Sequence, residues 1–261
     1  MIWIIGGTRD SYQLLEVLVK EQEQLIVTVT TNYGKKLIKA KFEVPVLQKK
    51  LNKAAMLTLI NKYKIREIID LSHPFAAQVS QNAIAAAKKA GIIYLRYQRP
   101  KLDLANFAGE NIIQVNSYQK AAEKARQFKK IFLTIGSHYL PLFAEQLKEQ
   151  EQRLIARVLP DPVYLAEIIG LGISRKNIIA VQGPFSREFN RVMFQEYEAD
   201  VVISKASGKI GGLQSKLEAA ADLKLPVIVI QRPELPYPKL FNKLTELLAY
   251  HKQLKISRNY F

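Results

Sequence analysis

The chain has 261 residues, of which 48% are hydrophobic and 24% are charged, a composition typical of a folded globular protein. It contains no cysteine, which excludes disulfides and thiolate chemistry, and no apolar run approaches the ~18 residues of a membrane-spanning helix. The net charge of +16 attracts anions, so nucleic acid and small polyanions are both candidate ligands.

The distribution of the charge shows no nucleic-acid-binding motif, and a small polyanion fits as well as nucleic acid. Basic residues are scattered along the chain, aromatic residues do not alternate with them, and no helix-turn-helix or zinc-finger spacing is present. The three histidines, His73, His138 and His251, are isolated from one another, so we expect no metal site. The N-terminal residues lack the pattern of an export signal, and we expect a cytoplasmic protein without a membrane partner.

The first predicted strand, residues 2–5, ends at a glycine turn, Gly6-Gly7-Thr8, and a helix is predicted from about residue 10. Glycines at such a turn allow the main chain to approach a pyrophosphate, and the helix that follows directs its free N–H groups at it. The turn is not a GxGxxG motif, and alone it is also consistent with a tight connection that binds nothing. Its position after the first strand of an α/β pattern favours a nucleotide site.

The second predicted strand lies within residues 24–31 and is followed by hydroxyl and basic side chains. Thr30, Thr31 and Lys35 or Lys36 stand where an enzyme specific for NAD usually has an acidic residue for the ribose hydroxyls. Hydroxyl groups and positive charge instead favour the 2′-phosphate of NADP.

A third motif, Ser72-His73-Pro74-Phe75, follows a predicted strand that begins at residue 68. In one interpretation Ser72 or His73 caps the next helix and Pro74 occupies its first turn. In the other, a histidine at the carboxyl edge of the sheet contacts bound cofactor or substrate and hydrogen-bonds to it or transfers a proton. The sequence leaves both open.

An internal repeat indicates two similar lobes. Residues 68–100 and 201–233 align without a gap, and both consist of an apolar strand, a polar turn, an alanine-rich helix, a second strand and Gln-Arg-Pro. Residues 130–147 likewise repeat the strand, glycine turn and helix of the N-terminal residues. The predicted fold is therefore α/β, with two Rossmann-like lobes whose sheets are mainly parallel. We place the lobes at residues 1–100 and 111–261, joined by residues 101–110, where the strand and helix periods are lost.

Two turns of the second lobe carry candidate ligand groups. Residues 205–212 join a strand to a helix with several glycines and lysines, a composition that binds carboxylates. The GxxxxGK[ST] spacing is absent, which excludes a P-loop ATPase. Residues 182–186, with the sequence QGPFS, form a further turn after a strand.

Together these motifs resemble the precorrin-6A reductase family, including its cobalt-precorrin-6A form, over nearly the whole chain. The resemblance rests on GGT at 6–8, DLSHPFA at 70–76, RYQRP at 96–100, ARVLP at 156–160, QGPFS at 182–186 with Asn190, and KASG at 205–208 followed by GG and Lys216. The chain departs from the family pattern at Asp10, where glutamate is expected, and at Ala206, where an acidic residue commonly follows the lysine.

The resemblance implies an NADPH-dependent oxidoreductase of cobalamin biosynthesis, which reduces a double bond of the precorrin-6A macrocycle to give the 6B form. We expect the first lobe to bind NADPH and the second to bind the anionic tetrapyrrole, in a monomer without a nucleic-acid partner. The expected cofactor-binding residues are Gly6, Gly7, Thr8, Thr30, Thr31, Lys35, Ser72 and His73. The expected substrate-binding residues are Arg157, Gln182, Lys205, Ser207, Gly208, Gly211 and Lys216.

Three points stay open at this level. The first is whether the proton that accompanies the hydride comes from His73 or from water. If it comes from water, His73 positions the ring of the substrate. The substrate contains cobalt or is metal-free. Two other classes of protein also share some features, namely another NAD(P)-dependent Rossmann oxidoreductase or epimerase, and a non-catalytic anion-binding protein. The epimerase class is a poorer fit, because the only Tyr-x-x-x-Lys spacing, Tyr97 to Lys101, contains Pro100 and cannot form a continuous helical turn.

Overall fold

The computed structural model describes residues 1–107, 111–148, 153–208 and 211–259. The chain divides into two compact units, one formed by Met1–Pro100 with Pro233–Phe261 and the other by Lys101–Arg232. Residues 108–110 of the predicted connection lie outside the described residues.

The first unit begins with five strands that alternate with four helices. In chain order they are β1 (Ile2–Ile5), α1 (Arg9–Lys20), β2 (Leu25–Val29), α2 (Asn32–Lys39), β3 (Val46–Gln48), α3 (Lys53–Tyr63), β4 (Glu67–Asp70), α4 (Ala77–Ala90) and β5 (Ile93–Tyr97). A 3-10 helix, Leu104–Phe107, follows.

The second unit has the same alternation. Its elements are β6 (Ile112–Val115), α5 (Tyr118–Ala125), β7 (Lys130–Leu133), α6 (Leu140–Gln146), β8 (Arg153–Val158), α7 (Pro162–Gly170), a 3-10 helix (Arg175–Asn177), β9 (Ile178–Ala180), α8 (Arg187–Glu196), β10 (Val201–Lys205), α9 (Leu213–Asp222) and β11 (Val227–Ile230). The chain ends with β12 (Leu240–Phe241) and α10 (Leu244–Asn259).

Each unit contains one parallel six-stranded sheet. The strand order is β12-β5-β4-β1-β2-β3 in the first unit and β6-β11-β10-β7-β8-β9 in the second. The repeated segments predicted from the sequence, β4-α4-β5 and β10-α9-β11, therefore hold equivalent places. The order reverses between β1 and β4 in one sheet and between β7 and β10 in the other, and such reversals open a ligand crevice at the carboxyl ends of the strands. The predicted fold class is confirmed.

The central strands β1, β2 and β4 are buried at every residue, as expected where helices cover both faces of a parallel sheet. All four residues of β1 are buried, and successive side chains point to opposite faces. Ile2 and Ile4 belong to one apolar cluster, and Trp3 belongs to a second one. No helix within the described residues is long and apolar enough to cross a membrane.

The C-terminal segment differs from the expected division of the chain, since residues from Pro233 onward join the first unit and not the second. β12 pairs in parallel with β5, and Asn242 Nδ2 donates to the carbonyl of Gln98 at 2.7 Å. On α10, the buried His251 places Nδ1 2.9 Å from Oε1 of Glu67, whose side chain is fully buried. Burial disfavours the charged ring, but the hydrogen bond and charge of Glu67 and the charge of Glu23 outweigh it, so the pKa of His251 is raised. The buried carboxylate of Glu67 thus gains a hydrogen-bond partner from α10, and this contact favours the protonated ring.

Candidate active site

The predicted cofactor residues converge on one edge of the first sheet. β4, β1 and β2 are neighbours, and every predicted cofactor residue follows one of these three strands. Gly6, Gly7 and Thr8 follow β1, Thr30, Thr31 and Lys35 follow β2, and Ser72 and His73 follow β4. This edge includes the point where the strand order reverses, which is where doubly wound sheets bind nucleotides.

The glycine turn has the backbone that close approach to a phosphate requires. Gly7 has φ +116°, a conformation that side chains disfavour, and open space surrounds the position that a Cβ would occupy. Thr8 precedes α1 but does not cap the helix with its side chain, because its Oγ1 donates to the carbonyl of Leu71 at 2.9 Å. This bond ties the turn after β1 to the turn after β4.

An ion pair supports the first turn of α1. Arg99 Nε donates to Oδ2 of the buried Asp10 at 2.5 Å, and both side chains are largely inaccessible. Because the guanidinium balances the carboxylate, Asp10 does not present an uncompensated negative charge to an anion at the start of the helix.

A buried carboxylate organises the turn after β4. Asp70 accepts four hydrogen bonds, from the backbone N–H of Ser72 at 2.8 Å, Arg96 Nη1 at 2.7 Å, Ser80 Oγ at 2.6 Å and Tyr94 Oη at 2.7 Å. Burial and the charge of Asp70 both raise the pKa of Tyr94, so its hydroxyl stays a donor. The network satisfies each oxygen of the carboxylate twice, which its complete burial requires.

The same network fixes Ser72. Arg96 donates through Nη1 to Ser72 Oγ at 2.9 Å and through Nη2 to the Ser72 carbonyl at 3.0 Å. The prediction that Ser72 or His73 caps the next helix is therefore wrong. α4 begins at Ala77, its N-cap residue is Ala76, and no side chain caps it.

His73 is exposed and held by a local turn. Its Nδ1 accepts from the backbone N–H of Phe75 at 3.2 Å, and the backbone N–H of Ala76 donates to the His73 carbonyl at 2.8 Å. Because Nδ1 is an acceptor, the neutral ring carries its proton on Nε2. This tautomer presents an N–H hydrogen-bond donor at the carboxyl edge of the sheet.

The turn after β2 presents hydroxyls and a lysine. Thr31 Oγ1 accepts from the backbone N–H of Gly34 at 3.1 Å and caps α2, while Thr30 is exposed. Lys35 lies in the first turn of α2 and is partly buried. No acidic residue occurs between residues 30 and 36, so these side chains fit a phosphate better than they fit ribose hydroxyls.

The second unit gathers three basic side chains, Arg157, Lys205 and Lys216, into what we call the cation cluster. Arg157 lies on β8, Lys205 ends β10, and Lys216 lies on α9. Lys216 Nζ donates to Ser204 Oγ and to the Gly211 carbonyl, both at 3.4 Å. Within the described part of the chain, no carboxylate lies within ion-pair distance of Arg157 or Lys216.

The electrostatics of the cation cluster follow from the burial of its three side chains. Burial, together with the smaller effects of the charges of Arg157 and Lys205, lowers the pKa of Lys216 to about 7. Burial also lowers the pKa of Lys205 to about 8 and that of Arg157 to about 10. An anionic ligand would relieve this mutual repulsion, so the cluster is suited to bind carboxylates.

The structure brings most of the predicted substrate residues together. Ser207, Gly208 and Gly211 form the turn beside Lys205, where Ser207 Oγ donates to the Gly211 carbonyl at 3.4 Å. Lys209 and Ile210 of this turn lie outside the described residues. Gln182 differs from the others, because it is exposed and makes no hydrogen bond to the cation cluster.

Sequence reasoning missed the residues that support these sites. Arg157 Nη1 donates to Asn190 Oδ1 at 2.8 Å, and its guanidinium lies 4.7 Å from the centroid of Phe185. In the first unit, Asp70 and Arg96 belong to the motifs DLSHPFA and RYQRP, but the sequence did not predict that they pair with each other. The signal in the sequence was charge. An Asp and an Arg on adjacent buried strands are expected to form an ion pair, because a buried charge requires a partner.

The comparisons with known proteins decide the family. The sequence pattern of the family described as Precorrin-6x reductase CbiJ/CobK matches residues 1–252. The chain belongs to this family. A cobalt-precorrin-6A reductase of Priestia megaterium is 38% identical over 251 residues, which cover 95% of this chain and 96% of the relative. A cobalt-precorrin-6A reductase of Salmonella typhimurium is 36% identical over 233 residues, covering 89% and 87%.

A solved structure described as CobK precorrin-6A reductase has the same fold, with a TM-score of 0.78, 23% identity, and coverage of 97% of this chain and 96% of that one. Membership of the precorrin-6x reductase family confirms the predicted family and the predicted class, an oxidoreductase. The epimerase alternative also lacks its catalytic pair, because Tyr97 ends β5 and no helix connects it to Lys101.

Proposed function

We propose that this chain uses NADPH to reduce a carbon–carbon double bond of cobalt-precorrin-6A or precorrin-6A in cobalamin biosynthesis. The first unit binds the nucleotide and the second unit binds the macrocycle. The observation that carries the proposal is the cation cluster, in which Arg157 and Lys216 are buried and have no acidic partner among the described residues. The acetate and propionate groups of the tetrapyrrole supply the missing negative charge.

The nucleotide assignment is supported by the edge formed by β4, β1 and β2. The backbone at Gly7 leaves room for a pyrophosphate, and the start of α1 directs N–H groups toward it. Thr30, Thr31 and Lys35 would bind the 2′-phosphate through hydroxyl groups and a positive charge. They follow β2, the neighbour of β1, which is where doubly wound folds place the group that contacts the ribose of the nucleotide.

When bound, NADPH would supply a hydride to one carbon of the double bond and leave as NADP⁺, while a proton adds to the neighbouring carbon. The protein's part is to hold the two reactants in register and to provide that proton. We propose His73 as the donor, because it is exposed at the carboxyl edge of the sheet and its protonated, cationic ring can give one N–H proton to the macrocycle and return to the neutral form. Ser72, fixed by Arg96 and Asp70, precedes His73 and holds the turn that carries it in place.

The experiment is a reduction assay that follows the absorbance of the macrocycle, with cobalt-precorrin-6A and precorrin-6A each tested against NADPH, NADH and no cofactor. We expect turnover of at least one macrocycle with NADPH, at a kcat/KM about tenfold to a hundredfold above that with NADH, since one charge contact is worth ~1.5–3 kcal/mol. Equal efficiency with the two cofactors contradicts the assignment of NADPH. If neither macrocycle is reduced, the assignment of the substrate is wrong.

A further inference from the structure

We propose that Phe185 and Phe189 form an aromatic platform on which the conjugated ring of the substrate stacks, beside the cations that bind its carboxylates. This inference rests on the proposed function, because it assumes that the second unit binds the macrocycle. The platform would contact the face of the ring, whereas the cation cluster contacts its edge.

The two phenylalanine rings are nearly parallel and partly open to solvent. Their centroids lie 5.0 Å apart with an interplanar angle of 22°, and Phe189 is 43% exposed. Phe185 precedes α8 and Phe189 lies in its first turn. An exposed stacked pair leaves apolar surface in water, and a flat conjugated ligand would bury that surface.

The platform is joined directly to the cation cluster. The guanidinium of Arg157 lies 4.7 Å from the centroid of Phe185, within the range of a cation–π contact. Phe185 therefore contacts a cation of the cluster and the exposed ring of Phe189 at the same time. A tetrapyrrole has both a flat face for the platform and carboxylates for the cations, whereas a linear polycarboxylate would leave the platform uncovered.

The position of Phe185 is fixed before a ligand binds. Its carbonyl accepts from Ser215 Oγ at 2.9 Å and from Asn190 Nδ2 at 3.4 Å, and Asn190 Oδ1 accepts from Arg157. A Cβ added at Gly183 would lie 2.9 Å from Cε2 of Phe185, so only glycine lets the ring take this position. The side-chain amide of Asn190 therefore positions both Arg157 and Phe185. This preorganisation reduces the conformational entropy lost when the ligand binds.

The alternative is that Phe185 and Phe189 only pack against each other at the surface and do not contact the substrate. It predicts that the ring of Phe189 can be replaced by any apolar side chain without effect on the substrate. The platform predicts a requirement for an aromatic face at residue 189 and no such requirement at Val192, a 53% exposed residue on the same helix.

The test is a titration of precorrin-6A without NADPH, followed by the change in the absorption spectrum of the macrocycle. Phe189→Leu should weaken binding about tenfold and reduce the spectral change, because it keeps apolar area but removes the stacking face. Phe189→Trp should bind as well as the wild type or better. Val192→Ala, the matched control, should stay within about twofold of it.

Lys216→Met separates this inference from the proposed function. If Lys216→Met weakens macrocycle binding and Phe189→Leu does not, the platform is rejected and the cation cluster stands. If neither change weakens binding, the second unit does not bind the macrocycle, and both proposals fail. Equal losses in Phe189→Leu and Val192→Ala also overturn the platform. Each variant is first compared with the wild type by thermal unfolding, and Phe189→Trp keeps the test informative if Phe189→Leu is unstable.

Discussion

Arg96 on β5 and Asp70 at the end of β4 form a fully buried ion pair, with Nη1 2.7 Å from Oδ1. Nη1 and Nη2 of the guanidinium also donate to Ser72, which precedes His73. The pair therefore has two roles, since it compensates a charge inside the first unit and it shapes the turn that presents the candidate proton donor.

The first prediction concerns the stability of this pair. Asp70→Asn should lower the free energy of unfolding by ~3–5 kcal/mol, because it leaves the Arg96 guanidinium buried without its counter-charge. The measurement is chemical denaturation. Asp222→Asn, which removes the partner of Arg187 in an exposed ion pair, is the control and should change stability little. Similar losses of unfolding free energy in the two variants would show that the buried ion pair contributes no more to stability than the exposed one.

The second prediction concerns the selectivity for NADPH. Lys35→Ala should reduce the ratio of kcat/KM with NADPH to that with NADH by about tenfold or more, because it removes a positive charge near the 2′-phosphate. Lys39→Ala, in the last turn of the same helix, is the control and should preserve the ratio. If only Lys39→Ala changes the ratio, the phosphate lies elsewhere along α2.

The third prediction separates two roles of His73. His73→Ala and His73→Asn should both reduce turnover by ~10²–10⁴-fold with little change in NADPH affinity, if Nε2 donates the proton. Asparagine can accept from a backbone N–H two residues later, so His73→Asn restores the local turn without a proton donor. An active asparagine variant beside an inactive alanine variant would identify His73 as a positioning residue.

The fourth prediction is a pH dependence of macrocycle binding. Burial lowers the pKa of Lys216 to about 7, so the free protein loses this charge as the pH rises through neutrality. Bound carboxylates favour the charged ammonium, so binding takes up a proton and the affinity should fall as the pH rises from about 6 to about 9. Titrations across this range measure the effect. Lys216→Arg stays charged and should flatten the profile, leaving the smaller contribution of Lys205. A dissociation constant independent of pH would contradict the account.

Local patterns predicted much of the fold. The run of residues 2–5 matches β1, and the repeat of residues 68–100 in residues 201–233 predicted two sheets with equivalent strands. Apolar periodicity is a property of neighbouring residues, so it is visible in one sequence. The return of β12 and α10 to the first unit is not local, because it depends on partners such as Glu67 and His251 that are far apart in the chain.

The candidate sites also combine features that are visible in the sequence with features that depend on tertiary contacts. Glycines and charges after strands led to the prediction of Gly7, Lys205 and Lys216 as site residues, since the carboxyl edge of a parallel sheet follows from the strand order alone. Side-chain hydrogen bonds were not predictable in this way. Ser72 has the composition of a helix cap, but its hydroxyl is engaged by Arg96 across a neighbouring strand, and the helix begins later. Tertiary contacts override the local preference there.

The most direct test of the central claim is a pair of titrations, NADPH alone and macrocycle alone, on Gly7→Val and Lys216→Ala. The account predicts that Gly7→Val weakens NADPH binding, because valine at φ +116° distorts the turn at the pyrophosphate, and leaves macrocycle binding nearly intact. Lys216→Ala should weaken macrocycle binding, less so at high salt, and leave NADPH binding nearly intact. If Lys216→Ala loses NADPH affinity and keeps macrocycle affinity, the assignment of cofactor and substrate to the two units is reversed.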